Sequence, residues 1–238
     1  MIITKQAKNG FFYREEQSFD FSNYKAEDFE KHIRSSIPNY EGMRSLVCPI
    51  AENFVMKGEN IYDLGTSSGD LLYGLEDYLP ENLKLSYIGY DIADNLLPKQ
   101  VGKDINFYNK DVTDESLKLF NTSLICSLFT LQFIPLDKRV KLVNKVYKSL
   151  SKRGCFLVCE KVYSAQGITE DIFTFSNYAM KQQNGFTTYE ILRKQFDLKT
   201  IMKPLTQAEN EQMFKEAGFE VVEVFFKSLN FMGWVLIK

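Results

Sequence analysis

Three short apolar runs in the first half of the chain each close on an aspartate. "NIYDLG" carries Asp63, "LSYIGYD" ends at Asp91 and "INFYNKD" ends at Asp111. Each run has the length and residue types of a buried strand, and "SGDLLYGLEDYL" after the first has the period of a helix. The rhythm continues with "SLICSLFTLQFI", an apolar run typical of a strand buried on both faces. Next comes "PLDKRVKLVNKVYKSLSKRG", an amphipathic helix with Pro at its start and Gly after its end, and then the strand "CFLVCEKVY". Such alternation predicts an α/β fold with a mostly parallel sheet covered on both faces.

The flanking segments frame this core. Residues 1–25 are polar and aromatic without a clear period and read as an irregular arm, laid over the body through Phe11, Phe12, Phe19 and Phe21. Across 26–56 apolar residues return every three or four positions, interrupted at Pro38, which predicts two helices with a break at "IPNY". The core spans 57–163. Residues 164–205 leave the strand rhythm and read as an inserted helical cap with an Asn184-Gly185 turn. In 206–238, Thr206 with Glu209 fits a capping box and Gly218 a helix C-cap, and two strands follow. The whole, 1–238, reads as a single domain.

Composition narrows the function. With 45% hydrophobic and 25% charged residues, the chain is ordinary for a soluble globular protein. A net charge of -2 gives no global electrostatic case for nucleic-acid binding, while leaving a local basic patch open. Cys48, Cys126, Cys155 and Cys159 form no C-x-x-C pair and only one histidine is present, so no metal site is expected, and the cysteines read as buried reduced thiols. The N-terminus lacks the pattern of a secretory signal and no apolar run approaches bilayer length, which points to a cytoplasmic protein.

In an open α/β sheet, ligands bind beyond the carboxyl ends of the strands. Asp63, Asp91 and Asp111 fall at three such ends, and the first is joined to a turn bearing Gly65 and Gly69. A dinucleotide loop would be G-x-G-x-x-G and a P-loop would need Gly-Lys-Ser/Thr, and neither is present. An acid beside the loop suits a ligand with an ammonium group. S-adenosylmethionine is such a ligand, with Asp91 on the ribose hydroxyls and Asp111 near the adenine amine. Taken singly, Asp63 or Asp111 could be a helix N-cap and Gly65 a turn residue.

The pattern Asp-Leu-Gly-x-Ser-x-Gly, the preceding "IRSSIPNY" and the later "FTLQFIP" together resemble the carboxy-S-adenosylmethionine synthase family. The resemblance runs from "FDF" at Phe19–Phe21 through Glu160-Lys161, "NGF" at 184–186 and "AGFE" at 217–220 to Asn230-Phe231. It implies a class I methyltransferase (Rossmann-like) fold with a seven-stranded, mostly parallel sheet and a C-terminal antiparallel strand. Family members convert S-adenosylmethionine and prephenate to carboxy-S-adenosylmethionine and phenylpyruvate, and the product serves wobble-uridine modification in tRNA. The resemblance further implies a homodimer. It implies cofactor contacts from Tyr40, from Gly65, Thr66 and Ser67 around the methionyl part, from Asp91 and Ile92 at the ribose, and from Asp111 and Val112 at the adenine.

Two positions depart from the family pattern. Leu128 stands where the family has Asn, and Gln195 where it has an arginine that binds the new carboxylate, so the cap cation is sought among Arg193, Lys194 and Gln195. Ordinary methyl transfer to another acceptor and non-catalytic cofactor binding remain as alternatives. His32 is assigned no role. Lys138, Arg139, Lys141, Lys145, Lys148, Lys152 and Arg153 read as a solvated basic face on one helix away from the strand ends, with tRNA binding as the minor reading. Phe173, Phe175, Tyr178, Phe186 and Tyr189 read as cap packing, and Glu160-Lys161 as an ion pair near the substrate.

Overall fold

The computed structural model describes residues 25–99 and 103–238. The N-terminal arm, with Phe19–Phe21, lies outside them. Helix α1 (Ala26–Ser36) and helix α2 (Tyr40–Ala51) are separated at Pro38, as the sequence pattern requires. There follow β1 (Asn60–Leu64), α3 (Asp70–Tyr78), β2 (Ser86–Asp91), β3 (Ile105–Asn109) and β4 (Thr122–Leu128). Then come α4 (Leu136–Ser149), β5 (Leu150–Tyr163), α5 (Gly167–Gln183), α6 (Thr188–Ile201), β6 (Leu205–Thr206), α7 (Gln207–Ala217), β7 (Val221–Ser228) and β8 (Phe231–Ile237).

Seven strands form the main path in the order β3-β2-β1-β4-β5-β8-β7, with the short β6 beside β5. β8 runs antiparallel to both β5 and β7. The others pair in parallel, and β1 meets β2 on one side and β4 on the other. The chain therefore reverses its winding direction between β1 and β4, which opens a crevice at their carboxyl ends.

Strand alternation divides the core in two. Tyr62, Leu64, Phe156, Val158 and Trp234 pack beneath Leu142, Val146 and Phe214 of α4 and α7. Ile61, Leu124, Cys155 and Leu157 pack beneath Met43, Val47, Leu72 and Leu75 of α2 and α3. Each fully buried aliphatic side chain contributes roughly 1.5–3 kcal/mol. Asp63, between Tyr62 and Leu64, consequently points toward the α2–α3 side.

Four sequence expectations need correction. The apolar run after Asn121 is not all strand: β4 stops at Leu128 and Leu131–Phe133 form a 3-10 turn, because Phe129 takes a positive φ of 62°. Gly154 does not follow a helix. α4 ends at Ser149 and β5 starts at once, with an irregularity around Arg153 (φ 64°), since Leu150 pairs with Thr122 of β4. Arg139 is not on a solvated face: it is 2% exposed, and its Nη2 donates to the carbonyls of Ile134 and Lys203, both at 2.9 Å. Of the four thiols, Cys126, Cys155 and Cys159 are buried while Cys48 is only half-buried.

The capping box at Thr206 and Glu209 is formed reciprocally, and Gly218 closes α7 with φ 112°. α6 opens with a second such box, Thr187 with Glu190. No helix of the described residues is long and apolar enough to cross a membrane.

Candidate active site

At the β1–β4 switch point lies a cavity of about 420 Å³. Its floor is the loop after β1. The N–H groups of Gly65 and Thr66 both donate to the Tyr90 carbonyl, at 2.8 and 3.0 Å, folding the loop back over β2. Gly65 has φ +86°, and a Cβ there would lie 2.0 Å from Thr130 Oγ1 at the end of β4. Gly69, φ +73°, turns the chain into α3, and a Cβ there would strike Phe107 at 2.4 Å. Both positions therefore require glycine. Ser67 between them also has a positive φ, 49°, a conformation that glycine would take with less strain.

Asp91 holds this loop. Its Oδ2 accepts the Ser67 N–H at 2.8 Å and its Oδ1 the Ala93 N–H at 2.8 Å. Burial raises its pKa, and the two N–H donors work against that rise. Asp63 is buried beneath the loop, and burial pushes its carboxyl up to about 7 against the hydrogen bond of the Thr66 hydroxyl and the pull of Arg44. Asp111 lies two residues past β3 and accepts the Thr113 N–H at 2.8 Å, so it shapes a turn rather than capping a helix.

The cavity gathers Tyr40, Asp63, Gly65, Thr66, Ser67, Asp91, Ile92, Asp111, Val112 and Leu128 from the first half of the chain. From α6 it takes Lys194 and Gln195. Arg193 is not part of it: its Nε lies 3.4 Å from Asp197 along the outer side of α6. The cavity also includes residues outside the expected cofactor contacts, four of which, Phe129, Thr130, Lys161 and Phe231, lie in segments that carry the family resemblance. Arg44, Phe129, Thr130, Lys161, Lys181 and Phe231 come from five separate elements or their ends, and only proximity in the fold joins them. Tyr40, Phe129 and Phe231 make an aromatic corner, with ring centroids 6.3 Å apart for the first pair and 6.0 Å for the second.

Glu160 and Lys161 are not paired with each other. They are neighbours on a strand and point to opposite faces. Glu160 faces the α4 side, where its carboxylate accepts the N–H groups of Leu131 at 2.9 Å and Gln132 at 2.7 Å. Burial raises its pKa to about 8, with Arg139 opposing. Lys161 faces the cavity. Gln132 completes this frame: its Oε1 accepts the Lys161 N–H at 2.6 Å, and its carbonyl accepts the Lys203 N–H at 2.7 Å.

Lys161, Lys181 and Lys194 enter from β5, α5 and α6. Each is close enough to act on the next. Burial and then Lys161 lower Lys181 to about 8, and burial, followed by a raising effect of Asp197 and a lowering one of Lys181, leaves Lys194 at about 8. Burial lowers Lys161, with Glu170 opposing. His32 lines the same space, and burial with Lys194 and Lys181 lowers it to about 4. It is neutral at physiological pH. None of Phe173, Phe175, Tyr178, Phe186 and Tyr189 lines the cavity. Phe175 and Tyr189 are exposed, which corrects their reading as packing residues.

Among the described residues, the buried hydroxyl of Ser67 and the Nη1 of Arg44 have no hydrogen-bond partner. A glycine cradle, unpaired donors beside it, and an acid at the next strand end fit an S-adenosyl group in size and chemistry. Basic Lys138, near the start of α4, also borders the cavity, so this helix reaches the strand ends that the sequence reading placed it away from.

No family model matches the chain. Among solved structures it is similar to human N-acetylserotonin methyltransferase in complex with S-adenosylmethionine, with a TM-score of 0.57 at 14% identity over 88% of this chain and 55% of that one. This likeness is one of fold, the class I methyltransferase fold. Among sequences it is 34% identical over 223 residues to a carboxy-S-adenosyl-L-methionine synthase of Staphylococcus epidermidis, covering 91% of this chain and 95% of that protein. It is 33% identical over 229 residues to the synthase of a Nitratiruptor species, covering 94% of each. By this extent of likeness, the chain belongs to the carboxy-S-adenosyl-L-methionine synthase family.

Proposed function

We propose that this enzyme moves a carboxyl group from prephenate to the methyl carbon of S-adenosylmethionine: the ring carboxyl leaves as carbon dioxide and is captured by the methyl carbon, whose lost proton departs with the ring hydroxyl as water, giving carboxy-S-adenosylmethionine, phenylpyruvate and water. The observation that carries the reading is one cavity with two chemistries: a nucleoside cradle at the β1–β4 ends, and a wall bearing Lys161, Lys181 and Lys194. The cofactor supplies an activated methyl carbon. Ser67, Gly65 and Thr66 enclose its methionyl part, Asp91 and Ile92 its ribose, and Asp111 and Val112 its adenine. Tyr40, Phe129 and Phe231 offer ring faces and edges to a sulfonium. Leu128 gives an apolar contact where a relative with Asn would give a hydrogen bond.

The lysines support a dicarboxylate as the second ligand. Three ammonium groups brought together repel one another, and burial adds to the cost. A ligand with two carboxylates offsets both terms, and a neutral acceptor offsets neither. Lys181 and Lys194 take the role for which Gln195 has no charge. Lysine binds as a point charge rather than a fork, so several are needed to define a carboxylate's position.

The helices of 164–205 act as the cap that closes this space. Asn177 Nδ2 and Asn184 Nδ2 donate to the carbonyls of Ser36 and Ser35, at 3.2 and 2.9 Å, tying α5 to the end of α1. On its outer side α5 exposes Ile168 (74%), Ile172 (53%) and Phe175 (66%), one helical face. That stripe supports a homodimer formed through the cap. A soluble, cytoplasmic enzyme whose product serves tRNA modification is consistent with this reading.

The test is direct. Purified protein is incubated with S-adenosylmethionine and prephenate, and the nucleosides are identified by mass spectrometry. A new species heavier by one carboxyl group in place of hydrogen is expected. S-adenosylmethionine left unchanged by prephenate would sink the assignment, and a methylated acceptor would replace it.

A further inference from the structure

Arg44 lies one helical turn beyond Tyr40 on α2 and borders the cavity with Asp63, Ser67 and Asp70. Its side chain is only 11% exposed. Asp70, the first residue of α3, fixes one edge of the guanidinium: Nη2 donates to Oδ2 at 2.8 Å and Nε approaches the same oxygen at 3.3 Å. The guanidinium lies over Gly74, where an added Cβ would be 3.7 Å from Nη2. The other edge is different. Nη1 is buried without a hydrogen-bond partner among the described residues, and so is the nearby hydroxyl of Ser67.

A buried cationic donor with no acceptor is costly, and native proteins rarely leave one unanswered. The planar fork makes its direction definite, because Asp70 sets the plane and the remaining N–H groups follow from it. Arg34 does not share this property: Glu30, Glu41 and Asp70 all engage it, and it is not part of the cavity wall. The methionyl end of S-adenosylmethionine is a zwitterion. One acid and one cation side by side match it better than an acid alone.

We propose that Arg44 binds the α-carboxylate of S-adenosylmethionine, with Asp70 as the residue that aims it. This rests on the cavity holding the methionyl group beside Gly65–Ser67. Asp63 then receives the ammonium. The two side chains are near enough that Arg44 draws the Asp63 carboxyl downward against its burial, so cofactor charge is read by a coupled pair. A neutral analogue of the methionyl head would lose both interactions.

The alternative is that Arg44 merely clamps α2 to α3 through Asp70. Two ligands separate these roles: S-adenosylmethionine and its decarboxylated form, which lacks the α-carboxylate. Calorimetry on the wild-type protein should show at least tenfold tighter binding of the first. Arg44→Met should weaken S-adenosylmethionine at least tenfold while leaving the decarboxylated ligand within about threefold, and Arg44→Lys should keep part of the preference. Equal loss for both ligands, or a wild-type protein that does not distinguish them, overturns the proposal. If Arg44→Met does not fold, the wild-type comparison and Arg44→Lys still decide it. If the wild-type protein binds neither compound, the cofactor assignment itself has failed, a different result from failure of Arg44 alone.

Discussion

The carboxylate of Asp91 accepts the backbone N–H of Ser67 at 2.8 Å. The end of β2 thereby fixes the shape of the loop after β1, and one side chain links two walls of the cavity. The serine is tolerated where a glycine would be expected because its N–H, not its side chain, is what Asp91 holds. Its left-handed φ of 49° is sustained by that bond.

Replacing Asp91 with Asn keeps the shape but turns one acceptor into an N–H₂ donor facing a backbone donor. One of the Ser67 and Ala93 N–H groups then loses its partner. The expected cost is about 1–3 kcal/mol in unfolding free energy, with cofactor affinity reduced at least tenfold. Ser67→Ala keeps the backbone bond and should change stability by less than about 1 kcal/mol. Thermal or urea denaturation and calorimetry measure both.

Gly65→Ala tests the cradle. The substitution forces a left-handed φ on alanine, at about 1–2 kcal/mol, and sets a methyl 2.0 Å from Thr130 Oγ1. Ends of β1 and β4 must move apart, which widens the switch point. A folded but destabilised protein with cofactor binding beyond detection by calorimetry is expected. Wild-type affinity in this variant would show that the loop does not approach the ligand closely.

The acids were legible in the sequence because each closes a strand, and a strand's period fixes which way its residues face. Asp63, Asp91 and Asp111 could be placed at one edge of a sheet before any contact was known. Lys194 was sought there as a cap cation and Lys161 as half of an ion pair, but Lys181 carried no signal, and that the three meet could not be read, since they sit on a strand and two helices whose mutual packing has no local signature. Arg139 was misread for a related reason. Charge spacing on a helix locates a polar stripe, but it does not tell that the first turn of α4 is covered by the segment carrying Lys203. Arg44 follows Tyr40 by four residues, so it shares its face, yet only the approach of α3 turned that face toward Asp70.

The lysine wall makes second-ligand binding depend on pH. Lys181 and Lys194 titrate near 8 in the free protein, so their charge, and with it carboxylate binding, is lost as pH rises through about 8. kcat/KM for prephenate, which reports free-enzyme groups, should fall above that pH when the cofactor is held saturating. In the complex the carboxylates favour the charged lysines and move the fall in kcat upward. Lys181→Met should raise KM for prephenate at least tenfold at pH 7 and flatten this limb. An unchanged profile would remove Lys181 from the site.

The exposed stripe on α5 predicts the assembly state. Phe175→Asp places a charge at its centre, beside Ile172 and Ile168. If the stripe is a dimer interface, the variant should run as a monomer by light scattering at concentrations where the wild-type protein runs as a dimer. Its melting temperature should fall and become independent of protein concentration. A wild-type monomer, or a variant dimer, would assign the stripe elsewhere.

Glu160 carries the last prediction, because it supports the cavity without entering it. Its two oxygens hold the N–H groups of Leu131 and Gln132, and Gln132 in turn holds the backbone of Lys161 and Lys203. Its folded pKa, raised to about 8 by burial, exceeds that of an unfolded glutamate. A group shifted in this direction gives stability that is complete below the unfolded pKa, about 4.3, and that is lost as pH rises toward 8. Glu160→Gln cannot titrate and leaves one N–H facing another donor. It should destabilise the protein by about 1–3 kcal/mol at pH 5, and the gap from wild type should narrow as pH approaches 8. Paired urea titrations across that range measure the gap. A gap that widens with pH would mean that Glu160 is held ionised by the N–H groups of Leu131 and Gln132 and by Arg139, and that the turn before α4 depends on the charge itself.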